Sequence, residues 1–292
     1  MPKLLSALVA EPGELPGPSS RRFFPIAALF LLVAPASAWA ESSSEPDFYS
    51  LKSWAPVGTW DYVAVALGNA ATITISVAVQ PPTRWEGGIL FDDWARDGLR
   101  LSSQTARNNA GTASTVLSVV AGVYPLLVDA GLLTGWIHQR GDLAWQMFVV
   151  DAEVLTLTGV VSTATTHLVG RDRPSMTNEN VSFFSGHEAI SASAATLICL
   201  QHLQLGLFGN KAADATACGI GIAASVSNGL LRIMADRHWA SDVIVGAAVG
   251  TGSAFLVYSL KVKPTPADQL AWQLMPVIRS DFLGLSFSGA FQ

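Results

Sequence analysis

The sequence predicts an all-α fold, an antiparallel helical bundle ending in a short C-terminal β-hairpin. Three observations point there. Apolar segments run roughly over 143–169, 187–207, 215–236 and 239–260, each long enough for several helical turns. With short loops between them, successive helices are antiparallel neighbours. After Pro264 and Pro266 the pattern changes to alternation, with Trp272, Leu274, Pro276 and Ile278, then Leu283, Leu285 and Phe287, at every second position. Period two denotes strands, and Arg279-Ser280-Asp281 supplies the turn.

The elements follow in chain order. Residues 1–40 read as a signal peptide or an N-terminal anchor: Ser20-Arg21-Arg22-Phe23-Phe24 precedes an apolar run from Pro25 to Val33, and Ala36-Ser37-Ala38 or Ala38-Trp39-Ala40 offers a small-residue cleavage site. The paired arginines suit the twin-arginine route as well as the general one. Residues 41–61 read as a linker, 62–262 as the helical domain and 263–292 as the tail that carries the hairpin. Within the domain, Tyr62 to Val79 is the first apolar stretch. Leu90 to Leu101, with Asp92, Asp93, Arg96, Asp97 and Arg100, reads as an amphipathic surface helix whose acidic residues lack metal-site spacing. Pro125 and Asp129 interrupt the segment 113–136, and Asp151 and Glu153 lie in the next. An ionisable side chain at mid-membrane costs about 2.5 to 3.5 kcal/mol on insertion scales, so these groups face a polar interior or sit in helices that lipid does not surround. A soluble bundle and a membrane-spanning one satisfy those facts equally. Gly246 and Gly250 form a small-xxx-small pair, read as close packing within the chain, with a dimer face in lipid as the alternative.

Composition bounds the function. The chain is 50% hydrophobic and 13% charged, with mean hydropathy +0.38, between soluble domains and polytopic membrane proteins. A net charge of −5 with scattered basic residues gives no nucleic-acid footprint. Cys199 and Cys218 lie in consecutive apolar segments without metal spacing and read most simply as small buried residues, a bridge between them being the alternative.

The residues that can do chemistry gather at segment ends. In Arg232-Ile-Met-Ala-Asp-Arg-His238-Trp-Ala-Ser-Asp242, the histidine and the aspartate are four apart. With a helix starting near His238 they share a face, so the carboxylate can hold one ring nitrogen and leave the other to attack. Arg232 adds a fixed cation for an oxyanion. Gly170-Arg171-Asp172-Arg173-Pro174 ends the first apolar segment, and Phe183-Phe184-Ser185-Gly186-His187 starts the second. In an antiparallel bundle the three clusters meet at one end.

These clusters resemble the tripartite signature of the type 2 phosphatidic acid phosphatase superfamily, which includes bacterial acid phosphatases and vanadium haloperoxidases. That signature reads Lys, six residues, Arg-Pro; then Pro-Ser-Gly-His; then Ser-Arg, five residues, His, three residues, Asp. The chain matches at Arg173-Pro174, Ser185-Gly186-His187, and Arg232 with His238 and Asp242, over about residues 143 to 260. It departs at Thr166, where the lysine is expected, at Phe184 for the proline and at Leu231 for the serine. Losing a cation that contacts a transferring oxygen costs typically about a hundredfold to a thousandfold, so Thr166 is the departure of consequence. Arg171, a common companion in the first motif, and His167 are its neighbours.

The resemblance implies a helical bundle of the acid phosphatase/haloperoxidase type and an exported, metal-independent phosphatase acting on a phosphate monoester or lipid (pyro)phosphate. His238, oriented by Asp242, would form a phosphohistidine while His187 protonates the leaving alkoxide and later activates water. Arg173, Arg232 and Arg171 would bind the phosphate, with backbone N–H groups of Ser185, Gly186 and His187 completing the cradle. Two other readings remain: a haloperoxidase holding vanadate on His238, and a non-catalytic relative binding phosphate or a lipid headgroup, which Thr166 motivates. No cofactor is implied outside the vanadate reading, and oligomeric state is open. Arg140, Lys211, Lys261 and Lys263 mark the far end, which favours an outward-facing site in the periplasm or a cell-envelope membrane.

Overall fold

The computed structural model describes residues 54–82, 84–175 and 181–262, and the backbone of 273–279 and 282–288. Seven α-helices occur among the described residues: α1 (Thr59–Ala78), α2 (Asp92–Leu99), α3 (Gln104–Tyr124, continued by a π-helical stretch Pro125–Ile137), α4 (Gly141–Val169), α5 (Gly186–Leu205), α6 (Lys211–Met234) and α7 (Ala240–Lys261). Local chemistry sets several of their ends. Ser103 Oγ accepts from the Ala106 N–H at the start of α3, and the Asn210 side chain accepts from Ala212 and Ala213 at the start of α6. Gly170 and Gly206, both at φ 61°, close α4 and α5 in the left-handed conformation.

Helix directions fix where the motifs go. Tyr62 meets Trp145, Asn69 Nδ2 donates to Thr156 Oγ1 and Arg84 donates to the Leu168 carbonyl, so α1 runs parallel to α4. Thr115 and Ser118 meet His187, and a Cβ at Gly122 would touch Ile190, so α3 runs parallel to α5. The ends of α1, α4 and α6 and the starts of α3, α5 and α7 therefore share one face of the bundle. The main apolar core, with Trp54, Leu133, Met147, Leu205 and Tyr258, sits towards the opposite face. Helix α7 presses on α5 through its glycines: a Cβ at Gly246 would lie 2.6 Å from the Ser185 carbonyl oxygen, and one at Gly250 2.0 Å from that of Ala189. That pair serves packing within the chain.

The carboxylates that interrupt the apolar segments are turned inward. Asp129 and Asp214 flank His202 at 3.2 and 2.7 Å, and Gln201 donates to Asp151 at 2.6 Å. Lys261 pairs with Asp61 and, at 3.3 Å, with Glu153. Among the described residues, five helices are long and apolar enough to cross a membrane: Thr59–Ala78, Gln104–Ile137, Gly141–Val169, Lys211–Met234 and Ala240–Lys261. None of the most apolar window of α1 is buried inside the bundle.

Three expectations are corrected. Cys199 and Cys218 form a disulfide between α5 and α6, because antiparallel packing brings their Cα atoms to 4.3 Å. The domain begins before residue 62: Trp54 packs edge-on against Tyr258 with centroids 5.7 Å apart, Ala55 N–H donates to the Lys261 carbonyl, and α1 starts at Thr59. The helix read at 90–101 is not simply a surface element, since Asp92 and Ala95 are buried. At the C-terminus the described backbone comprises β1 (Gln273–Arg279) and β2 (Phe282–Ser288), paired antiparallel with Gln273 opposite Ser288. The leader read at 1–40 lies outside the described residues.

Candidate active site

His238 stands in the short connection between α6 and α7, and α7 starts at Ala240 rather than at the histidine. Its Nδ1 lies 2.8 Å from the Ser182 carbonyl oxygen. A carbonyl only accepts, so Nδ1 carries the proton and Nε2 keeps its lone pair. Asp242 Oδ2 is 3.9 Å from Nδ1, too far for a hydrogen bond, and acts on the ring as a charge. The carboxylate is instead the hub of the support. It accepts from Ser182 Oγ (2.6 Å), Arg171 Nη1 (2.5 Å) and the Trp239 N–H (3.0 Å). Asp242 thus holds the residue that holds the histidine, which corrects the expectation of direct contact.

Arg171 is 0% exposed. Its guanidinium donates to Asp242, to Ser241 Oγ (2.9 Å), to the Gly87 carbonyl and to Asp92 Oδ2 (2.7 Å), and stacks over Trp85 at 4.1 Å. With its donors so engaged, Arg171 ties the loops together and does not present a fork to phosphate, as the sequence suggested. Asp92 accepts in addition from the Ile89 and Ser241 N–H groups (2.9 and 2.8 Å). Burial alone would raise the Asp92 pKa, but these N–H donors and Arg171 outweigh it and hold the carboxyl below its usual range. A second clasp lies beside the first. Asp236, at φ 59°, accepts from Arg96 and Arg100 at 2.7 Å each, fixing the turn two residues before His238.

The anion side of the pocket is built from α6, α5 and the loop after α4. Arg232, in the last turn of α6, is buried and donates to Ser114 Oγ of α3 at 3.2 Å. Arg173 is half-buried, and it and Arg232 act electrostatically on both His187 and His238. His187 sits in the first turn of α5, its Nε2 3.4 Å from Thr115 Oγ1 and its carbonyl accepting from Ser118 Oγ at 3.0 Å. Ser185 caps α5 by accepting from the Glu188 N–H, and its own N–H donates to the Asp242 carbonyl at 3.0 Å. The cradle of α5 is therefore the N–H groups of Gly186 and His187, which lack intrahelical acceptors at a helix start. Gly186 is required there, because a Cβ would lie 2.6 Å from Ser162 Oγ.

Burial drives the His238 pKa down, the charges of Arg232 and Arg173 push the same way and Asp242 opposes them; the result is about 4. The imidazole is neutral at pH 7 with Nε2 unprotonated, the form a nucleophile needs. Thr166 is buried and its Oγ1 donates back to the Ser162 and Thr163 carbonyls, so it adds no charge to the pocket. His167 Nδ1 is likewise 2.8 Å from the Thr163 carbonyl.

Sequence reasoning missed Ser182, Asp92, Arg96, Ser114 and Thr115. Ser182 had a signal, since it precedes the second motif by one residue. The others lie on α2 and α3, dozens of residues away, and only the helix directions bring them to the pocket.

Two histidines, a buried carboxylate and two arginines gathered around a helix N-terminus can hold an anion and offer it a nucleophile. Residues 151–266 match the PAP2 superfamily. Among curated proteins, a lipid A 1-phosphatase of Porphyromonas gingivalis is 34% identical over 142 residues, covering 48% of this chain and 30% of that protein. The chain thus spans under a third of the length of that relative. Among solved structures, a transmembrane PAP2 type phosphatidylglycerolphosphate phosphatase from Bacillus subtilis is 17% identical, covers 69% of this chain and 92% of its own, and superposes with a TM-score of 0.40.

Proposed function

We propose that the protein is a membrane phosphatase of the cell envelope that removes phosphate from a lipid phosphate through a phosphohistidine, without a metal ion. One observation carries this reading. The Ser182 carbonyl locks the Nδ1 proton of His238 and leaves Nε2 unprotonated, with Arg173 and Arg232 close by. Nε2 attacks phosphorus, the P–N bond forms and the ester P–O bond breaks, and protonated His187 gives its proton to the departing alkoxide. Burial first, and then the charges of Arg232 and Arg173, pull the His187 pKa down to about 3, and the substrate's negative charge opposes them to support the protonated state. His187 then takes a proton from water, whose oxygen attacks phosphorus, and the P–N bond breaks to release inorganic phosphate. Arg173 and Arg232 neutralise the non-bridging oxygens throughout.

The lipid class rests on two supports. The apolar helices leave α1 exposed along a length that suits a bilayer, and the relative from P. gingivalis is a lipid A 1-phosphatase. The disulfide between Cys199 and Cys218 fits a protein of an oxidising envelope compartment. Sidedness depends on the leader. Because α1 runs towards the site end, a cleaved export signal would start α1 outside and bring the site inside, whereas an outward-facing site requires residue 54 on the inner side.

The test is phosphate release from phosphatidic acid, other lipid phosphates, isoprenoid pyrophosphates and soluble monoesters, using the protein reconstituted in vesicles of known orientation. His238→Ala and His187→Ala each abolish release while the bundle still unfolds cooperatively. Full activity in either variant overturns the mechanism, and activity on soluble esters alone overturns the lipid class.

A further inference from the structure

The short helix α2 divides its surface three ways. Asp92, Ala95 and Arg96 face the bundle, where they hold Arg171, Ser241 and Asp236. Asp93 and Asp97 are exposed on the flank. The remaining face, with the residues just before the helix, is apolar and uncovered: Leu90 is 90% exposed, Trp94 80%, and Ile89 and Phe91 are also open. Leu90 is moreover held at φ 54°, a left-handed conformation that a leucine rarely adopts and that glycine would occupy without strain. The chain keeps a large apolar side chain in a conformation that disfavours it and aims it away from the protein.

This face does not stand alone. Val77 and Val79 at the site end of α1 are exposed, as are Val116, Val119 and Val120 of α3, so uncovered apolar surface borders α2 in sequence on both sides. The exposed apolar length of α1 suits hydrocarbon as the cover of such a surface. A tryptophan and two bulky apolar side chains at the end of apolar helices match the interfacial depth, where an amphipathic ring sits with its body in the acyl boundary.

We propose that the Leu90–Phe91–Trp94 face of α2 is seated in the lipid leaflet at the level of the headgroups, and that it receives the lipid substrate beside the catalytic loop. The proposal rests on the membrane reading above. It assigns α2 two partners at once, lipid on one face and the His238 turn on the other. The depth at which α2 floats then sets the height of the pocket relative to the lipid phosphates.

Two measurements test it. In vesicles containing brominated phosphatidylcholine, the emission of Trp94, taken as the difference between wild type and Trp94→Phe, is quenched by at least half, and most strongly by lipid brominated near the headgroup. No quenching overturns the proposal, and shielding from both bromolipid and aqueous acrylamide would show that another protein covers the face. In the second, Leu90→Asp/Trp94→Glu raises KM for a vesicle-borne lipid phosphate about tenfold, with hydrolysis of p-nitrophenyl phosphate changed less than twofold. Equal loss on both substrates, or no loss on either, overturns it. If the wild type hydrolyses neither substrate, the phosphatase reading fails, while the quenching measurement still decides the seat of α2.

Discussion

The Nδ1 proton of His238 is held by the carbonyl of Ser182, and Asp242 is hydrogen-bonded to the Ser182 hydroxyl while acting on the ring only as a charge from 3.9 Å. Removing the hydroxyl leaves the carbonyl in place, so Ser182→Ala is expected to lower kcat by tenfold or less, about 1.4 kcal/mol at most. Asp242→Ala is expected to do more harm to the fold than to any one contact, because it leaves Arg171 and Asp92 in an incomplete buried cluster. Breaking a buried pair from one side costs about 3 to 5 kcal/mol. Thermal unfolding of both variants beside their kcat values checks this. A Ser182→Ala enzyme as dead as His238→Ala would show that Asp242 acts on the ring in a way the geometry does not provide.

The His238 pKa of about 4 has a consequence for kcat/KM. The nucleophile must be neutral, so the acid limb of the free enzyme falls near pH 4 and not near 6.5. Arg232→Gln removes one of the cations that depress the pKa, and the limb moves to higher pH. Stability follows the same sign. Between about pH 6.5 and 4 the unfolded chain binds a proton at this position and the folded one does not, so the contribution is complete above that window and is lost as pH falls through it. A pH profile of kcat/KM for the two proteins is the measurement, and a wild-type limb near 6.5 would contradict the burial of the ring.

Thr166 faces the C-terminal turn of α4, where its hydroxyl only returns to its own helix. Thr166→Lys therefore gives up only hydrogen bonds within α4 and offers the pocket a cation. The expected gain is about tenfold to a hundredfold in kcat/KM on a phosphate monoester. Unchanged kinetics in a folded variant would mean that the arginines already saturate the phosphate oxygens.

The bridge between Cys199 and Cys218 closes a loop of 19 residues around the turn from α5 to α6. Loop-closure entropy puts its contribution at about 3 kcal/mol, so Cys199→Ser/Cys218→Ser should unfold at lower temperature while its kcat stays within twofold. Differential scanning of the detergent-solubilised proteins, with kinetics alongside, measures both. A large loss of kcat would place the bridge in the service of the site.

Much of this arrangement was legible in the chain. Segment boundaries at 143–169, 187–207, 215–236 and 239–260 lie within a few residues of α4 to α7, because the length of each apolar run leaves little choice. The convergence of Arg173, His187, Arg232 and His238 followed from antiparallel order alone. Roles that depend on which atom faces which were not legible. Arg171 and Arg173 are two residues apart with the same side chain, yet the first is enclosed by Asp92, Asp242 and Trp85 while the second is only half-buried. Nor could spacing distinguish an aspartate that touches the histidine from one that holds its holder. Nor does sequence separate a buried thiol from a bridged one, which is why Cys199 and Cys218 read more simply as buried residues than as the disulfide they form.

The clasp between Asp92 and Arg171 also bears on how the molecule can be divided. The superfamily match begins at residue 151, yet Asp92 and Arg96 of α2 and Ser114, Thr115 and Ser118 of α3 all touch groups within the matched region. A fragment cut at the match boundary would retain every motif residue and lose the carboxylate opposite a buried guanidinium, the two cations on Asp236 and the hydroxyls beside Arg232 and His187. The unit that completes the site is therefore larger than the piece that sequence comparison recognises, and 151–266 grafted onto another protein would carry the motif residues without the groups that hold them.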